Sequence, residues 1–260
     1  MALFEGPEPE NVSHSSDKPH DHLTYDQFER SALQLCDKPP LDFYKGDCYH
    51  ALGHVSMYLG EYDIQKTMDF CQLFDNKIAA FNCAAGAYME HTITKGTILQ
   101  NGTYLCDAYT DFPAACFRYE FISWKNKTFD YKGAAEVCLA LSDALQRAGC
   151  FHGLGFASFF LVYRQPDMLP KICSFGSRTD RRMCIEGAAG KLNQFYPEKQ
   201  QEACTYLDDS QIASLCLLSK DSALNKNPDL YYYIHNRKNV QNRKSLFSLP
   251  LSIIRWVFKI

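Results

Sequence analysis

Apolar positions in TYDQFERSALQLC (residues 24–36) recur at Phe28, Ala32 and Leu35, the three-to-four-residue spacing of one helix face. Thr24 and Gln27 stand at the spacing of a capping box and mark where that helix starts. YKGAAEVCLALSDALQ is likewise rich in good helix formers. Four further stretches read as helices: CYHALGHVSMYLG, CAAGAYMEHTI, CFHGLGFASFFLVY and CIEGAAGKLNQF. Each starts on a cysteine, and Gly or Ala dominates positions two to six beyond it, which lets neighbouring helices approach closely. Pro39-Pro40, Asp75-Asn76 and Gly176 fall between helical stretches and suit turns.

The cysteines give these helices a period. Cys36/Cys48, Cys71/Cys83, Cys106/Cys116, Cys138/Cys150, Cys173/Cys184 and Cys204/Cys216 form six pairs, separated by 10 to 12 positions within a pair and 31 to 35 between pairs. That period belongs to helical-hairpin repeats. Each unit then runs helix, first cysteine, turn, second cysteine, helix. A bridge within each pair would close a loop of about a dozen residues, roughly 3 kcal/mol of chain entropy each. Bridging between units is the alternative, and spacing alone does not choose.

Unit length, Ala/Gly placement and pairs such as Cys36/Cys48 and Cys138/Cys150 resemble Sel1 and tetratricopeptide-type helical repeats, especially their cysteine-rich secreted relatives. The resemblance spans roughly residues 24–218, although those relatives space their cysteines more tightly. It implies a binding scaffold. The expected fold is therefore all-α: an array of about six helical hairpins, an α-solenoid or α/α superhelix stapled by disulfides.

A second level of order divides the array into halves, 24–125 and 126–218. Cys36, Cys48 and Cys71 recur 102 positions later as Cys138, Cys150 and Cys173, and Cys83 recurs as Cys184 with one residue lost. CYHALGH then stands opposite CFHGLGF, and His50 opposite His152. The halves differ at polar positions: His54 becomes Phe156, and Ala85 becomes Glu186.

These positions carry the candidate chemistry. His50 and His54, four apart on a helix, can ligate one divalent transition metal. His152, Glu90, His91 and Glu186 are the candidate further ligands, although Glu90 and His91, as neighbours, point apart. The position two beyond each second cysteine runs His50, Ala85, Arg118, His152, Glu186, Leu218, a mixed polar column expected to line a groove. His50, His54, Arg118, His152 and Glu186 are thus the ligand-contacting candidates. No nucleophile elbow, P-loop or dinucleotide-binding pattern occurs, so no reaction can be named. A bridged Cys150 would leave His152 no thiolate to activate.

Composition narrows the classes. The chain has 260 residues, 46% of them hydrophobic, with a net charge of -3, which leaves no footprint for specific nucleic-acid binding. Twelve cysteines without any CxxC pair fit an oxidising compartment better than zinc or iron–sulfur sites. Sequons at Asn11, Asn101 and Asn126 agree. MALFEGPEPE carries no apolar signal segment, so a processed or trimmed chain is expected, with a cytoplasmic protein as the alternative. Residues 1–23 are polar and proline-containing, and disorder is expected there despite His14, His20 and His22. Residues 219–260 are basic and aromatic, a cap for the last repeat or a segment that contacts a partner or a membrane surface.

Three functions follow: a secreted, lumenal or periplasmic scaffold binding a protein, peptide or glycan; a metal-dependent enzyme with a histidine-centred site between the halves; and an intracellular thiol metal-binding protein.

Overall fold

In the computed structural model, residues 24–33, 35–37, 42–124 and 129–219 are described. Pro39-Pro40, Asn11, Asn126, His14, His20, His22 and the tail beyond Ser219 lie outside them. The described residues are helical throughout, apart from turns and one isolated antiparallel bridge between Ile98 and Tyr104. The helices are α1 (Tyr25–Ala32), α2 (Asp42–Leu59), α3 (Ile64–Cys71), α4 (Lys77–Lys95), α5 (Leu105–Ala108), α6 (Pro113–Ser123), α7 (Tyr131–Ala140), α8 (Ala144–Ala157), α9 (Phe159–Arg164), α10 (Met168–Ile172), α11 (Arg178–Phe195), α12 (Pro197–Cys204) and α13 (Ser210–Leu218).

Local sequence sets the helix starts. Thr24 Oγ1 accepts from the Gln27 amide and Gln27 Oε1 from the Thr24 amide, closing the expected capping box. Ser177 and Asp180 close a second box at α11. Asn76, Asp130, Asp143 and Asp209 each accept two amide hydrogens at the starts of α4, α7, α8 and α13. The structure departs from the expected face at Leu35. Phe28 and Ala32 are buried, but α1 ends before Leu35, which sits in a 3-10 turn (Leu35–Asp37) and is exposed. The tighter turn rotates its side chain off the α-helical stripe.

The segment CFHGLGFASFFLVY also differs from one continuous helix. α8 stops at Ala157 and α9 begins at Phe159. Between them the Ser158 hydroxyl donates to the Leu154 carbonyl at 2.7 Å, and the Ser158 amide is shared between the Leu154 and Gly155 carbonyls. This back-bonding competes with the regular ladder.

All six disulfides form within pairs: Cys36–Cys48, Cys71–Cys83, Cys106–Cys116, Cys138–Cys150, Cys173–Cys184 and Cys204–Cys216, with Cα atoms 5.4 to 5.8 Å apart. No described cysteine is free. The second cysteine of each pair lies inside its helix instead of ahead of it. Each bridge therefore pins the short preceding segment against the side of a following helix.

The cysteine-bearing second helices pack on one another in order, α2 on α4, α4 on α6, α6 on α8, α8 on α11 and α11 on α13. Glycines set the closeness of two of these crossings. A Cβ on Gly53 would lie 2.0 Å from the Cys83 carbonyl oxygen, and one on Gly86 would lie 1.9 Å from that of His50. At α8/α11, a Cβ on Gly155 would lie 1.8 Å from the Cys184 oxygen and one on Gly187 would lie 2.1 Å from that of His152. In both crossings each helix thus presents a glycine to its partner's backbone, at corresponding positions.

Candidate functional site

One strip of polar and aromatic side chains runs across α4, α2, α6, α8 and α11. It starts at Glu90 on α4, whose Oε2 lies 2.7 Å from His54 Nδ1 on α2. A carboxylate can only accept, so Nδ1 carries the proton and His54 Nε2 holds the lone pair unless the ring is doubly protonated. His50 lies one turn earlier, its ring edge-on to that of His54 with centroids 4.9 Å apart. His50 next meets Tyr119 of α6 at 6.3 Å, and Tyr119 meets Phe156 of α8 at 6.3 Å, edge to face. Lys191 of α11 holds its ammonium 5.0 Å from the Phe156 centroid and 4.4 Å from that of Phe195.

His50, His54, Glu90, Tyr119 and Lys191 are half-buried, and Phe195 is exposed. Phe156 is buried beneath the strip, where the Arg118 guanidinium lies 4.0 Å from its centroid and 5.0 Å from that of Phe81. Arg118 is itself only 5% exposed, which sets it between rings of α4 and α8 and away from the surface. His152 is buried at the α8/α11 crossing. The column two beyond each second cysteine thus lies largely in the seams between helices: Ala85, Arg118 and His152 are buried, and His50 and Glu186 half-buried. Leu218, at its end, is exposed.

Glu90 and His91 point apart. Glu90 reaches His54, while His91 is buried and held below the ordinary histidine range by that burial. Two other carboxyls are displaced upward. Enclosure raises Glu186 to about 7, partly offset by Arg182. Glu120 is buried on α6, and that burial, with Asp107 adding to it, raises its carboxyl to about 7 against the pull of the Cys106 amide, which donates to Oε2 at 3.4 Å.

Glu120 stands beside the Cys106–Cys116 bridge. Among the described residues this trio alone gathers three His, Cys, Asp or Glu donor atoms within 4.8 Å of one another. Its sulfurs are bonded to each other, so it offers no thiolate pair for a metal. His50, His54, His152, Glu90, His91 and Glu186 do not come together as one such cluster; the structure joins His54 to Glu90 and His50 to His54.

Tyr119, Phe156, Lys191 and Phe195 were absent from the sequence-based site. The available signal was the 102-residue offset between cysteines: it sets Phe156 against His54, and Lys191 against Glu90 with one position lost. At these offset positions a carboxylate–imidazole pair stands against an ammonium over an aromatic ring.

Asn101 is exposed in a turn, its Oδ1 accepting from the Thr103 amide at 3.0 Å. Among the described residues no helix is long and apolar enough to cross a membrane. Compared with known proteins, the chain matches no family model, no curated protein and no solved structure.

Proposed function

We propose that this chain is a secreted or lumenal binding scaffold: a disulfide-stapled α-solenoid of six hairpins in two related halves, akin to Sel1-type repeats, that holds a peptide or protein segment along the strip from Glu90 to Phe195. The reading is carried by the accessible members on α4, α2, α6 and α11, joined from beneath by the buried Phe156 ring of α8. Its members alternate acceptors, a cation and ring faces, which suits an extended chain with both side-chain and backbone groups to satisfy. Matching glycines at the α2/α4 and α8/α11 crossings support two related halves. Six closed bridges favour an oxidising compartment.

The test is a display screen of random peptides against the full chain with its disulfides intact. Tyr119→Ala and Phe195→Ala are expected to abolish capture of selected peptides, whereas Tyr206→Ala, an exposed aromatic at the end of α12, leaves it unchanged. Selected peptides indifferent to Tyr119 and Phe195 would place binding elsewhere and end this reading. For the compartment, expression through a secretory pathway should yield an enzyme-removable glycan on Asn101 that Asn101→Gln eliminates.

A further inference from the structure

We propose that His50 and His54 form a surface site for a divalent transition metal, with Glu90 as the carboxylate that orients His54. The proposal does not rest on the peptide-binding reading, although His50, His54 and Glu90 form one end of the same strip. Three observations combine. The two imidazoles lie on successive turns of α2 with centroids 4.9 Å apart, the i, i+4 placement at which two histidines can share one ion. Glu90 reaches from α4 to His54 Nδ1 at 2.7 Å. This is the carboxylate–histidine arrangement that fixes a metal-binding tautomer, with Nδ1–H engaged and Nε2 presented as the donor. Both rings and the carboxylate are half-buried, so an ion can enter from solvent and keep water in its remaining positions.

The second half lacks the required chemistry at the corresponding places. Phe156 replaces His54 and Lys191 replaces Glu90, so that a cation already faces the ring there. Two imidazole nitrogens and water favour Zn²⁺, Ni²⁺ or Cu²⁺ over Mg²⁺ or Ca²⁺, which prefer oxygen cages.

The test titrates Ni²⁺ and Zn²⁺ separately into the full, disulfide-intact chain by calorimetry. One saturable site is expected. His50→Ala and His54→Ala should each remove it, and Glu90→Gln should weaken it by about 10–100-fold. Replacement of His14, His20 and His22 together by Ala should leave it in place. Substoichiometric Cu²⁺ should broaden NMR signals around α2 and α4 first, which locates the ion even if a variant fails to fold. The proposal is overturned if the wild-type chain takes up no ion. Binding that survives in the His50→Ala, His54→Ala double variant, or that disappears with the N-terminal histidines, overturns it equally.

Discussion

At the residue scale the two displaced carboxyls give the chain a pH signature. Glu120 and Glu186 titrate near 7 when folded, against an ordinary value of 4.5. Between those values the folded chain binds protons that the unfolded chain has released, so stability falls as pH rises through this window. The contribution is fully present below 4.5 and lost above about 7. For deeply buried Glu120 the ceiling is about 3 kcal/mol, since each unit of displacement is worth about 1.4 kcal/mol. His91 works in the opposite sense, because burial favours its neutral form and folding resists its protonation on acidification. The contrast to measure is therefore wild type against Glu120→Gln. Urea midpoints at about pH 5 and about pH 8 should differ less in the variant, mainly because its midpoint rises at the higher pH. An identical difference in both proteins would show that Glu120 titrates normally.

At the element scale, helix starts and helix crossings are the sensitive points. Asp143 accepts from the Leu145 and Gln146 amides at 3.1 and 2.9 Å. Asp143→Ala should lower stability by about 1 kcal/mol in denaturant unfolding, the usual effect of losing an N-cap. Gly53→Ala and Gly155→Ala should cost more, about 1–3 kcal/mol, because the added methyl meets a backbone carbonyl that a rotamer change cannot move. Similar losses at the two sites are expected, since the two crossings share their geometry. The helices themselves were legible in the sequence: Thr24 and Gln27 announced α1, and Ala- and Gly-rich stretches announced the seams. Leu35 and the break at Ser158 were not, because a tightened last turn and a hydroxyl bonding back to a carbonyl perturb helices below the resolution of residue spacing. The strip was only half legible. His50, His54 and Glu90 stood out by residue type, whereas Tyr119 and Lys191 gain meaning only from helix rotation about its axis.

At the scale of the whole molecule, the bridges add covalent ties to one continuous apolar core that runs from Phe28 to Cys216. Every pair closes locally, so each staple ties a short segment to the helix that follows it and leaves the packing between those helices to apolar contacts and small residues. Full reduction should add two hydrogens per bridge to the intact mass and bring loss of cooperative thermal unfolding. A chain whose mass does not change on reduction would refute the stapled architecture. Replacing Cys204 and Cys216 together by Ser should lower stability by about 3 kcal/mol, the chain-entropy scale for so short a loop. The loss should concentrate in α12 and α13 by hydrogen exchange. The terminal carbonyls of α13 add to this sensitivity, since Gln200 Nε2 donates to both Cys216 and Ser219 across the same hairpin.

The sequence by itself determined the all-helical class and the cysteine period, because periodicity and capping are local properties of the chain. Only the tertiary structure decided that the bridges close within pairs. It also set Arg118 and His152 in seams instead of on a surface, and brought Glu90 onto His54. Those outcomes depend on how far each helix turns about its own axis when glycine lets it touch its neighbour's backbone. That rotation is a property of packed pairs, and no single stretch of sequence contains it.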